Sequence, residues 1–303
     1  MVMKIIELLA LLSGLYIAFV IGANDTANAL GTAIGSKLFS YRNLVLLFGI
    51  FVLLGTLNAK NVGHTVSTIV SGDITLSLII AGIIISIITY KKIPISTHQV
   101  IVSALVGLNI SSADISLFSK IIGSWIISPI LAGMLSYSIY ELIKKFNISI
   151  LQKVQLIKYG ILLSGGLIAY NLGSNDLPTA LGALSNNTYL FFVGGLFLIL
   201  GALLFGKGVS ETVGINIVKL NPLGAFVAQL SAGIAVFVFT QFGMPVSTTQ
   251  AIIGGIIGVG LTKGIKTVKW KTILYIVLGW ILAPAFALIV GHLIELIKNN
   301  IYF

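Results

Sequence analysis

Apolar residues run along this chain in long blocks, parted by glycine, proline and small clusters of lysine. The blocks cover 5–36, 43–60, 74–110 and 118–143, then 156–185, 189–206, 223–261 and 271–298. About 20 apolar residues are enough to cross a bilayer core. The second and fourth blocks of each half therefore read as single helical spans. The first block of each half is too long for one simple span and has polar residues inside it, which predicts a helix broken near mid-membrane. The third block of each half has a proline in its middle, and fits either a re-entrant hairpin or two ordinary spans. Either way each half crosses an odd number of times. The pattern thus predicts an all-α polytopic membrane protein of two inverted-topology repeats, each with a broken helix and a re-entrant hairpin or an extra helix pair. Residues 1–150 would form repeat 1 and residues 151–303 the inverted repeat 2.

Composition agrees. Hydrophobic residues make up 57% of the chain and charged ones 9%, with a mean hydropathy of +1.09; a soluble domain carries about 25% charged residues. Residues 5–21 resemble a signal peptide ending at Ala27-Asn-Ala29, but only Lys4 precedes them and their counterpart at 156–172 is internal, so a retained span is expected. The absence of cysteine excludes disulfides, thiolate catalysis and Cys-based metal sites.

A net charge of +10 would suggest nucleic acid in a soluble chain; here topology accounts for it, and no nucleic-acid partner is expected. With the N-terminus outside, the cytoplasmic loops collect Lys37, Arg42, Lys144, Lys145, Lys153, Lys158, Lys207, Lys219, Lys263, Lys266, Lys269 and Lys271. The outer face keeps Lys4, Lys60, Lys120 and Lys298. Such a bias follows the positive-inside rule only if the repeats are inverted, and it places both termini outside a cell membrane. Lys91 and Lys92 sit near a hairpin tip on one reading of 74–110 and are ordinary cytoplasmic charges on the other.

Two polar motifs recur with an offset of 151 residues. Gly22-Ala-Asn24-Asp25-Thr-Ala-Asn28-Ala-Leu-Gly31 returns as Gly173-Ser-Asn175-Asp176-Leu-Pro-Thr179-Ala-Leu-Gly182. Pro94-Ile-Ser96-Thr97-His98-Gln99 returns as Pro245-Val-Ser247-Thr248-Thr249-Gln250. Carboxylates are costly in hydrocarbon and mark functional sites there. Proline followed by Ser and Thr reads as a helix N-terminus. Free N–H groups and hydroxyls at such an end make a cradle for an oxyanion. The alternative is a proline kink with its hydroxyls bonded to the previous turn. In Asn24-Asp25 and Asn175-Asp176 the carboxylate would repel an anion unless a cation joins the pair. Their oxygens, with those of Gln99 and Gln250, suit Na⁺; a proton on a buried Asp is the other choice. Asp can equally cap a helix inside a broken span, and capping is compatible with cation binding.

Thr68 and Thr212, between the second block and the hairpin of each half, are weaker candidates. His98 stands where repeat 2 has Thr249, and can donate to an oxyanion, titrate, or simply be hydrogen-bonded. Trp125-Ile-Ile-Ser-Pro129 and Trp280-Ile-Leu-Ala-Pro284 read as interfacial rings and kinks. Enzyme signals fail. Gly201 to Lys207 resembles a P-loop, but Gly208 replaces the Ser or Thr that holds Mg²⁺. His64, His98 and His292 have no zinc spacing, and no Ser–His–carboxylate arrangement is evident.

On Gly22 to Thr32, Gly173-Ser-Asn-Asp176 and the paired Pro-[Ile/Val]-Ser-Thr segments, the chain resembles the inorganic phosphate transporter (PiT) family over nearly its whole length. The resemblance implies cation-coupled import of inorganic phosphate by inverted repeats with re-entrant hairpins, commonly as a homodimer in membrane lipid, with no cofactor beyond the coupling ion. Asp25, Asn28, Asp176, Ser96, Thr97, Ser247, Thr248 and Thr249 fall on the family's motif positions. Thr179 stands where many members have Asn. Gln99 and Gln250 replace a common His, and His98 is shifted by one place. The expectation is therefore an anion site at Asn28, Ser96, Thr97, Thr179, Ser247, Thr248 and Thr249. The coupling cation, Na⁺ in preference to H⁺, is expected at Asp25 and Asp176. A sulfate or other oxyanion permease of the same family is the alternative, and an ion channel the rival of another class.

Overall fold

A computed structural model describes residues 2–35, 40–91, 95–146, 149–216, 221–264, 268 and 270–301. The first half folds as α1 (Val2–Gly35), α2 (Tyr41–Thr56), α3 (Lys60–Ile69), α4 (Ile74–Tyr90), α5 (Thr97–Leu108) and α6 (Ile115–Lys145). The second half folds as α7 (Ile150–Asn171), a π turn (Leu172–Asp176), α8 (Leu177–Leu181), α9 (Thr188–Asn216), α10 (Pro222–Gln241), α11 (Thr248–Thr262) and α12 (Trp270–Ile301). Helices start where a short polar residue meets an apolar block. Ser40, Asp73, Asp114, Ser149, Asn221 and Ser247 each accept a backbone N–H from the turn they open, which satisfies a donor that the helix itself cannot pair. Six of the described helical segments are long and apolar enough to cross a membrane.

The block at 74–110 is a hairpin. Asn109, just past α5, accepts from the Asp73 N–H and donates to Ser77 at the start of α4. The chain therefore returns to the level at which it entered. Helix α5, at 12 residues, extends only about 18 Å, against a hydrocarbon core of about 30 Å. Toward the tip the described chain ends at Lys91, which is exposed at the end of α4, and resumes at Ile95; Lys92, Ile93 and Pro94 lie outside the described residues. Helices α10 and α11 form the corresponding pair.

The two hairpins enter from opposite ends. Helix α6 is the yardstick, 31 residues long. At its start Asp114 N–H bonds Ile69 O, beside the base of hairpin 1. Near its far end the Tyr140 hydroxyl accepts from Asn221, which opens α10. Each hairpin's second helix packs on the last helix of the other half, α5 along α12 and α11 along α6. The α6–α11 crossing depends on glycine: a Cβ on Gly254 would stand 2.0 Å from the Pro129 carbonyl oxygen. Helix α1 likewise packs on α9 and α2 on α7, so the halves interleave instead of forming separate lobes.

The predicted break at the Asn-Asp motifs is not what the structure shows. Helix α1 runs unbroken through Asn24 and Asp25, because nothing in Gly22-Ala-Asn-Asp-Thr-Ala removes a backbone donor. In the second half Pro178 takes the place of Ala27. Having no N–H and crowding the carbonyl four residues back, it coincides with a π turn over the motif, where the Leu177 N–H reaches Leu172 O. The sharp break lies elsewhere: α3 leaves α2 at 65° across Leu57–Ala59, so the block read as one span at 43–60 ends at Thr56.

Candidate functional site

The hairpin tips meet at the two motif carboxylates, which come from α1 and from the π turn. Thr97, first residue of α5, donates to Asp25 Oδ2 at 2.5 Å. Thr248, first residue of α11, donates to Asp176 Oδ2 at 3.2 Å. These are the same bond in the two repeats. A second pair is also repeated: Asn24 donates to Thr89 at 2.9 Å and Asn175 to Thr240 at 2.8 Å. The cluster then closes across the repeats. Thr249 reaches Asp25 Oδ1 at 3.5 Å and the Ile95 carbonyl at 3.3 Å. Asn28 donates to Thr249 at 2.9 Å and to Thr248 at 3.3 Å. His98 Nε2 stands 3.3 Å from Asp176 Oδ1, within ion-pair reach but out of line for a hydrogen bond.

Apart from the half-buried Thr89, all of these side chains are buried, Asp25 at 1% exposure and Asp176 at 0%. Two carboxylates out of water need compensating charge or donors. Hydroxyls supply part of it. The same surroundings hold buried polar atoms with no hydrogen-bond partner: Ser96 Oγ, Gln99 Oε1 and Gln250 Oε1. The two glutamines occupy equivalent places in the first turns of α5 and α11. Buried acceptors without donors are costly, and an equivalent pair of them points to a ligand. Ser247 differs from Ser96, since its Oγ accepts the Gln250 N–H and caps α11.

The structure thus gathers Asp25, Asn28, Thr97, His98, Asp176, Thr248 and Thr249 into one network. It gives other expected residues different work. Asn175 spends its amide on the tip of hairpin 2, accepting from Val246 N–H and donating to Thr240 and the Met244 carbonyl. Thr179 donates to the Asn175 carbonyl one turn back; a hydroxyl on so short a side chain does not bridge to the hairpin as Asn28 does. Thr68 is exposed and bonds back to His64 and Thr65. The side chain of Thr212 lies outside the described residues.

Two contributors escaped the sequence reading. The Trp125 indole donates at 2.9 Å to the Pro245 carbonyl, so this ring braces the tip of hairpin 2 and is not interfacial. Gln229 on α10 donates to the carbonyls of Asn28 and Ala29 and accepts from Ser164, pinning α1 beside the site. A lone Gln in an otherwise apolar stretch was the available signal.

The model of the phosphate transporter family matches residues 21–155 and again 149–291. The chain belongs to the phosphate transporter family. A protein of Methanocaldococcus jannaschii, provisionally named a phosphate permease, is 50% identical, covering 95% of this chain and 96% of its own. A sulfate permease of Bacillus subtilis is 31% identical over 95% of this chain and 87% of its own. A solved structure of a protein named the sodium-dependent phosphate transporter superposes with a TM-score of 0.86 over 98% of this chain and 99% of the other, at 22% identity; that likeness establishes the fold. As a member of the family this chain is a multi-pass membrane transporter of phosphate type, not an enzyme.

Proposed function

We propose that the protein imports inorganic phosphate across the cell membrane by symport with sodium, through the cluster at the hairpin tips. The observation that carries this reading is the donor–acceptor balance of the site. Converging N-termini of α5 and α11 offer hydroxyls and free N–H groups to an anion. Asp25, Asp176 and the unpartnered Gln99 and Gln250 oxygens offer acceptors. Phosphate near neutral pH still carries hydrogen and can donate to such acceptors; sulfate cannot. The carboxylates also need a cation alongside before an anion can settle, and their neighbours are oxygen donors, the ligands an alkali cation takes. The sodium dependence in the name of the superposed transporter points the same way.

On this reading Ser96, Thr97, Ser247, Thr248, Thr249 and Asn28 face the anion and Asp25 anchors the cation. Residues 1–150 and 151–303 act as the two halves of a rocking unit, two copies pair in the bilayer, and both termini face outward. Sulfate is the second reading, favoured by the sulfate permease relative. Vesicles reconstituted with the purified protein decide between them. An inward Na⁺ gradient alone should concentrate labelled phosphate, with excess sulfate competing weakly. Uptake driven only by a pH gradient would overturn sodium coupling, preferential block by sulfate would overturn phosphate, and flux that never exceeds equilibrium would overturn symport in favour of a channel.

A further inference from the structure

The two carboxylates are related by duplication but are not equally furnished. Asp25 has two hydroxyls beside it, Thr97 at 2.5 Å and Thr249 at 3.5 Å. Asp176 has one hydroxyl, Thr248 at 3.2 Å, and one imidazole, His98 Nε2 at 3.3 Å. His98 and Thr249 are the same position of the two repeats. The contact is therefore repeated across the pseudo-symmetry, with a ring nitrogen exchanged for a hydroxyl.

That exchange changes what else the carboxylate can hold. A hydroxyl can turn its hydrogen away and present a lone pair, so it can ligate a cation together with the carboxylate beside it. A ring nitrogen cannot turn. A bare nitrogen at this distance would add its lone-pair density to that of Asp176 in a dry site, so Nε2 carries a hydrogen whatever the charge of the ring, close to the carboxylate though out of line for a hydrogen bond with it. The positive end of that N–H bond then lies beside the place a second cation would take at Asp176. Both side chains are buried, His98 at 1% exposure and Asp176 at 0%, so water does not screen the conflict. Around the ring the charged neighbours are Asp176 from the π turn and Asp25 from α1.

We propose that His98 makes the two pockets unequal: the Asp25 pocket binds the coupling cation and the Asp176 pocket binds none. His98 is on this view the residue that sets how many cations accompany each anion. The inference rests on the sodium-symport reading above and deepens it.

Equilibrium binding of radiolabelled sodium to the purified full chain, at saturating phosphate, is the direct test. The wild type should bind a single sodium, and His98→Thr, which restores the hydroxyl, should bind a second. In vesicles the sodium activation curve should steepen in parallel, from a Hill coefficient near one toward two, since that coefficient is bounded by the number of sites. The mirror change Thr249→His should remove sodium binding from the Asp25 pocket, and keeps the inference testable if His98→Thr does not fold. Two sodium ions bound by the wild type, no gain in His98→Thr, or full binding retained by Thr249→His would each overturn the role of His98. No sodium bound by any folded variant would instead remove the symport reading and this inference with it.

Discussion

Asn28 and Thr179 occupy equivalent positions in the two repeats, and the difference of side chain decides whether this position reaches across to the other repeat's hairpin. Asn28 donates to both Thr248 and Thr249; Thr179 satisfies only a carbonyl one turn away. Asn28→Ala should raise the apparent KM for phosphate about tenfold, the effect of losing roughly 1–3 kcal/mol of buried hydrogen bonding. Thr179→Ala should change it less than about twofold, because the removed bond is local. Uptake kinetics of both variants in the same vesicles check the contrast, and equal losses would place Thr179 at the anion after all. At this scale the sequence exposed the members of the site through their duplication, since no apolar span repeats Asp and Ser-Thr by accident at one fixed offset. It did not expose who bonds whom. Thr97 and Asp25 are 72 residues apart, and only the packed hairpin decides that they touch.

Elements were legible where an apolar block begins or ends and obscure inside one. The block boundaries fell near the capping residues, but the polar motif in α1 reads as a break and is none, because Asn24 and Asp25 turn their side chains to the hairpin and leave the backbone ladder whole. Pro178 was the better guide, as the π turn beside it shows. Trp125 was misread for a related reason: tryptophan is common at interfaces, and only the tertiary structure sets its indole against the Pro245 carbonyl. Trp125→Phe keeps the ring and removes that donor. Affinity for phosphate should fall several-fold, at about 0.5–1.5 kcal/mol for one hydrogen bond, with kcat and melting temperature near wild type. A fall in melting temperature with unchanged KM would make Trp125 a packing residue only. At the α6–α11 crossing the expectation is reversed. Gly254→Val must push α11 off the Pro129 carbonyl, an overpacking cost of about 1–3 kcal/mol, so melting temperature and yield should drop together. An unaltered melting curve would contradict the close approach.

Across the whole molecule, lysine placement and packing agree on which segments share a face. Hairpin 1's base, the loop at 185–187 and the end of α12 lie together, while Phe146 and Asn221 lie at the other end of α6. Because the chain has no cysteine, Ser185→Cys and Phe146→Cys, both at exposed positions, report orientation cleanly. An impermeant thiol reagent outside intact cells should label the first and spare the second; the converse would reverse the topology. What the sequence left hidden is how the C-terminal helix is fastened. Lys298 near the end of α12 donates at 2.7 Å to Asp73 Oδ2, which caps α4, and Glu295 accepts from the backbone N–H and hydroxyl of Ser111. Partial burial pushes the Asp73 carboxyl up, but the bond from Lys298, the Leu76 N–H and the ammonium charge together outweigh it and hold the group below the ordinary carboxylate range. A carboxylate depressed in the folded state stabilises fully above its unfolded value, about pH 3.9, and loses that contribution as pH falls through the folded one. The clamp is therefore intact throughout the neutral range. Asp73 is partly open to solvent, so the pair is worth at most about 1 kcal/mol. Lys298→Ala should accordingly lower the melting temperature by no more than a few degrees at neutral pH. The gap to wild type should close as pH is brought below about 4 and Asp73 takes up its proton. A gap that persisted in acid would mean that Lys298 acts by packing, and not through the charge on Asp73.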